Sequence, residues 1–444
     1  MNLNPIVGEV THNQAKILFV PSSSTPLTLY INDIKNQEIQ PIENVVNTLV
    51  LKGLSKDNTY TIKFYQDALI NSTSPEIKPL AYCTFKTFSI PKHIHIVSCD
   101  LLEIRDAGLS AWNKLSSDMN IELMLHIGDN VYMDREHYRA INYIEDKKEI
   151  NMKVIEDDMR KRYHRTWNGV NNVLARTSNM MIWDDHDVHD GFHIISNNVS
   201  NPNKVEEIAI KLYKEYQEGL LINPPAKPGG SWYRQYGDLL LFVCERTTLP
   251  EGNVTEELLN SLSTMLYNPY VKRLALVFTS APIPVPTGVL GKAYSMIYGT
   301  DGLWKDEELT KVYDVVYNWL DGSNFDSVQR NAVIIGGDLH IGVDAVITRG
   351  GISIPLFISS SVSNYATIAE RLFGMGMVKR TVGNYKVEYN NVVYGNNYVV
   401  LKLEDNKLDA ELLHVKDSLI PPNYLLSALS SLKGIMVGSS DDGN

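Results

Sequence analysis

The most chemically suggestive residues of this 444-residue chain directly follow short apolar runs. Five such runs each end in a group of carboxylate, imidazole, thiol, phenol or guanidinium side chains. The groups are CD (99–100) after IHIVS (94–98), GDNVY (128–132) after LMLHI (123–127), DDHD (184–187) after MMIW (180–183), CER (244–246) after LLLFV (239–243) and GGDLH (336–340) after AVII (332–335). Sites in α/β sheets form beyond the carboxyl ends of the strands, so we expect these groups to meet. Their side chains are of the types that bind metal ions and phosphate.

Taken singly, most of these residues have a structural interpretation as well. Asp129 could equally be a helix N-cap, and Cys99 could be a small buried hydrophobic residue. The DDHD segment is more specific, because three carboxylates within four residues repel one another unless a cation or a strong hydrogen-bond network offsets them. A solvated acidic turn is the competing interpretation, and the position directly after an apolar strand counts against it.

Together, the candidate ligands sort into two metal positions that share one carboxylate. The first position offers thiolate, carboxylate, phenolate and imidazole from Cys99, Asp129, Tyr132 and His340. This set favours ferric iron or another strongly Lewis-acidic ion. The second position is oxygen-rich and suits calcium, magnesium or manganese; its ligands are Asp129, Asp185 and Asp338. Two ions about 3.5–4 Å apart can hold a phosphoryl group and activate a hydroxide for in-line attack.

Two further residues are candidates for contact with the substrate. His186 would protonate the leaving oxygen or hold the phosphate, and Arg246 could make bidentate contacts to phosphate oxygens. Asp100 is the alternative to Cys99 as a ligand. Their side chains point to opposite sides of a regular strand, so both are not expected on the same ion.

The elements that must position these residues fall into two regions. Up to about residue 88, β-rich runs alternate with turns, a pattern typical of a small sandwich; the runs span 15–20, 27–31, 47–54, 59–65 and 82–88. From residue 93, apolar strands alternate with helical stretches at 148–163, 204–221 and 306–320, which predicts a buried α/β sheet. We therefore predict a β-sandwich domain over 1–90, an α/β domain over 91–418, and a C-terminal segment over 419–444 whose apolar part, 424–437, could be a docked helix.

Composition narrows the class of protein. The net charge of −11 argues against a nucleic-acid-binding face and against an anionic membrane surface. Three cysteines are too few to indicate a disulfide framework. The sequence shows neither a signal peptide nor an apolar window long enough to cross a membrane. These features predict a cytoplasmic protein with a phosphorylated substrate, although export by a signal-less route would leave no trace. The oligomeric state stays open.

The motifs resemble those of the alkaline phosphatase D (PhoD-like) metallophosphatases. Four segments are similar to that family's metal-site motifs and occur in the family's order: VSCD (97–100), HIGDNVYMD (126–134), MMIWDDHDVHDGF (180–192) and IIGGDLHIG (334–342). PIVGEVTHNQAKILF (5–19) and LKGLSKDNTYTIKFY (51–65) resemble its N-terminal fibronectin-type domain. The resemblance implies a metallophosphatase-type sandwich of mixed sheets flanked by helices, preceded by a small all-β, immunoglobulin-like sandwich.

The resemblance also implies an activity and a set of site residues. It implies a hydrolase of phosphomonoesters or phosphodiesters with two or more ions, iron(III) with calcium in some members; manganese, magnesium and zinc are the alternatives. It places Cys99, Asp129, Tyr132, Asp185, Asp338 and His340 at ligand positions and His186 beside the phosphate. Cys244 stands where the family commonly has Asp, two residues before Arg246, and Asp187 stands where Glu is frequent. A non-catalytic module that binds a phospho-ligand or a protein is the competing function, and the complete ligand set favours the enzyme.

Overall fold

The computed structural model describes residues 3–66, 78–102, 109–147, 151–193, 204–249, 253–284, 304–322, 329–404 and 407–415. The predicted C-terminal segment 419–444, with its apolar part 424–437, lies outside these residues. The predicted boundaries between the three parts of the chain stay predictions.

The N-terminal region is an all-β sandwich of two antiparallel sheets. Its strands are β1 (Ile6–Val10), β2 (Gln14–Phe19), β3 (Leu27–Ile31), β4 (Ile34–Ile39), β5 (Asn47–Lys52), β6 (Thr59–Gln66) and β7 (Ala81–Lys86). One sheet has the order β1-β2-β5 and the other the order β4-β3-β6-β7. The two sheets bury apolar residues between them, and the rings of Phe19 and Phe64 meet at 5.1 Å. The predicted sandwich is therefore confirmed.

The remaining strands form two larger mixed sheets. They are β8 (His93–Val97), β9 (Leu123–Ile127), β10 (Ser178–Ile182), β11 (Trp232–Tyr236), β12 (Leu239–Cys244), β13 (Arg273–Phe278), β14 (Asn331–Gly336), β15 (Gly342–Arg349), β16 (Ile352–Ile358), β17 (Arg380–Val382), β18 (Tyr385–Val393), β19 (Asn397–Glu404) and β20 (Lys407–His414). The five-stranded sheet has the order β10-β9-β8-β19-β20, and the eight-stranded sheet the order β11-β12-β13-β14-β16-β15-β18-β17. Strands β8, β9 and β10 are parallel, as are β12, β13, β14 and β16. Their carboxyl ends therefore collect polar loops at one edge of each sheet.

Alternate residues of the buried strands face two different cores. In β12, Leu239, Leu241 and Val243 pack into the core shared with the five-stranded sheet. Leu240 and Phe242 pack on the other side, together with apolar side chains of two helices. This two-sided burial explains why these strands are continuous apolar runs in the sequence.

Helices cover the outer faces of the sheets. They are α1 (Leu109–Ser117), α2 (Asp134–Lys147), α3 (Met152–Asn168), α4 (Asn171–Leu174), α5 (Lys204–Tyr216), α6 (Glu256–Leu266), α7 (Asp306–Asp321) and α8 (Ile368–Met375). The helix predicted over 148–163 corresponds to α3, which begins at Met152 and ends at Asn168. It follows Asn151, whose side chain accepts from the backbone N–H of Lys153. Among the residues described, no helix combines the length and the apolar character that crossing a membrane requires.

The N-terminal sandwich is joined to the rest by polar contacts with β10 and β11. The Val10 N–H donates to Ser178 Oγ at 3.1 Å, at the first residue of β10. Arg234 of β11 forms a largely buried ion pair with Glu9, with 2.6 Å between Nε and Oε1. Because the acidic segment 184–187 follows β10, the sandwich supports the strand that carries it.

Candidate metal centre

The candidate ligands lie in the first residues beyond the strand ends, where the backbone turns sharply. The pairing of β8 and β9 continues past the strands, since the Asp100 N–H donates to the Asp129 carbonyl at 2.8 Å. A side chain at Gly337 would lie 2.5 Å from the Thr279 carbonyl oxygen and 3.0 Å from that of Ile127. Glycine is therefore required for the end of β14 to approach the end of β9, and this approach brings Asp338 and His340 to the other ligands.

The first predicted metal position is a cluster of four side chains. Cys99 Sγ lies 3.5 Å from Asp129 Oδ2, and the Tyr132 hydroxyl donates to the same oxygen at 3.1 Å. The Tyr132 hydroxyl also lies 2.9 Å from His340 Nε2. Ligand atoms of Cys99, Asp129 and His340 are all within 4.8 Å of one another. The structure thus brings together all four residues of this predicted position.

The second position differs in one member from the predicted set. Ligand atoms of Asp129, Asp185 and His186 lie within 4.8 Å of one another, and the described residues include no such group that contains Asp338. Asp338 lies near this group, and its charge contributes to the raised pKa of Asp129. The structure therefore places His186, predicted as a proton donor, among the potential ligands, with Asp338 beside the group.

Electrostatics indicate that this pocket is built for cations. Burial raises the pKa of Asp129 to about 8, against the opposing charge of His186, and the carboxylates of Asp185 and Asp338 add to the rise. Burial and the same neighbouring charges hold the pKa of Asp184 well above its usual range. Carboxylates crowded in a low dielectric repel one another, and a cation relieves that repulsion. Asp129 Oδ1 is moreover buried without a hydrogen-bond partner, which leaves it available as a ligand.

The structure separates the two alternatives at the end of β8. The Asp100 carboxylate accepts from Trp112 Nε1 at 3.0 Å and from Ser363 Oγ at 2.7 Å, and burial raises its pKa to about 7. The side chain of Cys99 points instead to Asp129 and to Ser360, whose Oγ lies 3.1 Å from Sγ. Cys99, and not Asp100, is thus the residue that lies in the ligand cluster.

Three supporting residues of the first cluster were not found from the sequence. His340 Nδ1 lies 2.9 Å from Glu370 Oε1, and the His340 N–H donates to Ser360 Oγ at 2.8 Å. The Asn364 amide lies 2.9 Å from the Tyr132 hydroxyl and 3.0 Å from His340 Nε2. Ser360 and Asn364 lie in the polar run SSSVSN (359–364), which follows the apolar segment ISIPLFI (352–358), whereas Glu370 lies beyond that run.

Asp187 takes part in a hydrogen-bond network, which is one of the two ways to offset the repulsion among the carboxylates of the DDHD segment. Its carboxylate accepts from the backbone N–H groups of Asn130 at 3.3 Å, Val131 at 3.1 Å and Asp184 at 3.0 Å, and from Gln217 Nε2 at 2.7 Å. It therefore ties the loop after β9 to the loop after β10.

Arg246 is placed to meet an anion. It is buried, its Nε has no hydrogen-bond partner, and its charge lowers the pKa of Asp338 against the larger effect of burial. Cys244, two residues earlier, packs into the core beneath α6 and α7, and burial raises the pKa of its thiol. Cys244 is therefore a small core residue of this chain.

The pocket also holds His186 firmly. Its Nδ1 lies 3.0 Å from both carboxylate oxygens of Asp134, and its ring packs 4.6 Å from that of Tyr132. Burial would lower the pKa of His186, but the charges of Asp129, Asp185 and Asp134 raise it well above its usual range.

Comparisons with known proteins agree with this geometry. Residues 94–244 match the family model of the PhoD-like phosphatases. The chain is similar to the solved structure of PhoD, with a TM-score of 0.60, 13% identity, and coverage of 98% of this chain and 97% of that one. It is also similar to purple acid phosphatase PPD1 from yellow lupin (Lupinus luteus) seeds, with a TM-score of 0.61, 10% identity, and coverage of 94% and 73%. No curated protein sequence matches the chain significantly.

These matches confirm the predicted resemblance and the predicted fold. The chain has a metallophosphatase-type α/β sandwich of two mixed sheets with a small β-sandwich in front of it. At such low identity the solved structures show the fold alone. The family match supports hydrolysis of phosphoesters in general.

Proposed function

We propose that this protein is a metal-dependent phosphoesterase that hydrolyses phosphomonoesters, phosphodiesters or both. The observation that carries the proposal is the sharing of one buried carboxylate, Asp129, between two ligand clusters. Its Oδ2 meets Cys99 and Tyr132, while its Oδ1 is buried and without a hydrogen-bond partner. A carboxylate shared in this way could hold two ions close together, as two-ion catalysis needs.

The donor atoms fit two different ions. Thiolate, phenolate and imidazole from Cys99, Tyr132 and His340 suit iron(III), with zinc as an alternative. The oxygens of Asp185 and Asp338 suit calcium, with manganese or magnesium as alternatives. When bound, such ions would neutralise phosphate charge and lower the pKa of the attacking water.

The protein's own side chains supply the remaining steps. The buried guanidinium of Arg246 donates to the phosphate oxygens, and so compensates their charge and orients the ester. His186 donates a proton to the oxygen of the departing alcohol, a step that contributes about 10²–10⁴-fold in enzymes. Its place beside the shared carboxylate Asp129 supports this role.

Metal analysis combined with turnover tests the proposal. The purified protein should contain metal and should hydrolyse para-nitrophenyl phosphate, bis(para-nitrophenyl) phosphate or both. Chelation should abolish turnover, and adding back iron with calcium should restore it, with manganese, magnesium and zinc as comparisons.

Two results would contradict the proposal. Full turnover by a demonstrably metal-free sample would exclude the two-ion mechanism. A metal-loaded protein that binds phosphate but turns over neither ester would instead favour the non-catalytic phospho-ligand module.

A further inference from the structure

We propose that Gln217 is a positioning residue of the metal centre, whose side-chain amide holds the loop that carries the shared carboxylate Asp129. The inference rests on the proposed two-ion function. Gln217 lies directly after α5 (Lys204–Tyr216) and is fully buried. It is not one of the residues at the strand ends, and neither the motifs nor the comparisons assign it a role.

The Gln217 amide bridges the two loops that carry the candidate ligands Asp129 and Asp185. Its Oε1 accepts from Asn130 Nδ2 at 2.8 Å, in the loop after β9. Its Nε2 donates to Asp187 Oδ1 at 2.7 Å, in the loop after β10. An amide suits this place because it offers an acceptor to one loop and a donor to the other.

Asp187 and Asn130 complete a closed set of hydrogen bonds with this amide, next to Asp129. The Asp187 carboxylate accepts from the backbone N–H groups of Asn130 at 3.3 Å and Val131 at 3.1 Å. Asn130 Nδ2 also donates to the carbonyl of Ile182, the last residue of β10, at 2.7 Å. The residue that directly follows Asp129 is therefore held through both its backbone and its side chain.

Asp129 needs this support because its backbone conformation is strained. Its φ of 54° lies in the left-handed region, where a residue other than glycine persists only if the surroundings fix it. The Asp129 carbonyl accepts from the Asp100 N–H at 2.8 Å, and the residue that follows is held through Gln217. The direction of the Asp129 carboxylate toward both ligand clusters therefore depends on the amide.

A purely structural role for Gln217 makes a different prediction. Its Nε2 also donates to the Tyr163 hydroxyl of α3 at 3.2 Å, so the amide could serve only to join α5 to α3. Its loss would then lower the melting temperature and leave the affinity for metal ions unchanged. A positioning residue instead affects the ions at both positions, because Asp129 belongs to both ligand clusters.

The experiment titrates the stripped full-length protein with zinc(II) against a competing chelator and also measures the melting temperature. Zinc is the probe because it accepts thiolate, imidazole and carboxylate ligands, which are donors of the two positions. Gln217→Met keeps the length of the side chain and removes both hydrogen-bonding groups. Gln217→Glu, which has nearly the shape of the wild type, keeps the acceptor for Asn130 and loses the donor to Asp187. Tyr163→Phe is the control, since it removes only the hydrogen bond between the amide and α3.

We expect each Gln217 variant to lower the zinc affinity of both positions by about tenfold or more, as the loss of a residue that supports a metal ligand does. Tyr163→Phe should lower the melting temperature but bind zinc like the wild type. An unchanged affinity in the Gln217 variants, a loss at one position only, or an equal loss in Tyr163→Phe would overturn the assignment of Gln217 alone. Binding of fewer than two zinc ions by the wild type would refute the proposed two-ion function and the assignment with it.

Discussion

Glu370 offers a direct test of the first metal position, because it contacts the candidate ligand His340 without being a ligand itself. Its Oε1 lies 2.9 Å from His340 Nδ1, and the carboxylate is buried. Burial opposes protonation of His340, but the charges of Glu370 and Cys99 raise its pKa well above the usual range. Glu370 therefore increases the electron density available at Nε2, the nitrogen that faces the other ligands.

The substitution Glu370→Gln keeps the size of the side chain and one acceptor oxygen but removes the charge. Loss of such a partner of a metal-bound histidine costs about 10–100-fold in metal affinity or activity. At about 1.4 kcal/mol per tenfold, the expected weakening of metal binding is about 1.4–2.8 kcal/mol. The ion at the second position should be affected less, since Glu370 reaches it only through His340 and the shared Asp129.

A neighbouring residue provides the control. The Thr367 hydroxyl caps α8 by accepting from the Glu370 N–H at 3.3 Å. Thr367→Ala should lower the melting temperature, since an N-cap contributes about 1 kcal/mol, while the Glu370 carboxylate stays on His340. Metal affinity is measured by titrating the stripped protein against a competing chelator. An unchanged affinity in Glu370→Gln, or equal losses in both variants, would refute the reasoning.

Three further predictions concern single side chains. Cys99→Ser should abolish the visible thiolate absorption of the iron-loaded protein and most of its turnover, whereas Asp100→Asn should keep both; the reverse result in absorption spectra would assign the site to Asp100. Asp129→Ala should lower kcat by several orders of magnitude and reduce the content of both ions, while a lower melting temperature with intact specific activity would show a structural role only. Burial lowers the pKa of His126 from 6.5 to about 4, although the contact with Asn179 raises it. The contribution of neutral His126 to the free energy of unfolding is therefore complete above pH 6.5. About 3 kcal/mol of it is lost as the pH falls from 6.5 to 4. Urea unfolding at pH 7 and pH 5 should therefore show a smaller acid loss in His126→Gln than in the wild type, and equal losses would contradict this.

The apolar strands that end at the site could be predicted from the sequence, and several strands elsewhere could not, including the fully buried β1 (Ile6–Val10). The runs that end at the site are largely apolar because both of their faces are buried, as in β12. No strand was predicted from residue 342 onward, where antiparallel pairs such as β18 (Tyr385–Val393) and β20 (Lys407–His414) carry many partly exposed residues. Strand β4 (Ile34–Ile39) is almost entirely exposed, and its polar sequence does not predict a strand.

The position of a residue in the sequence made the ligand candidates predictable, but it did not reveal their supporting residues. A carboxylate or thiol at the end of a largely apolar run is conspicuous in the sequence, because most of its neighbours in the run are apolar. Glu370 and Asn364 are ordinary polar residues there, and only the approach of β16 and α8 to His340 gives them a role. Asp134 lies inside a recognised motif, yet its partner His186 is 52 residues away along the chain.

The backbone at the ligand positions explains how the side chains turn into the site, and why the sequence does not reveal it. Cys99, Asp129, Asp338 and His340 have φ values of 56°, 54°, 74° and 51°, in the left-handed region that residues other than glycine seldom adopt. Each costs about 1–2 kcal/mol relative to the usual conformation, and the five other such residues in the described part of the chain are all asparagine or aspartate, which tolerate it best. Glycine would remove this cost at all four positions but could not bind a metal ion. The strained conformations persist because the surrounding structure fixes them, for example through the Ser360 hydroxyl that accepts from the His340 N–H at 2.8 Å. The donor atoms are therefore held together by the protein backbone itself, which is the arrangement expected of a preorganised metal centre.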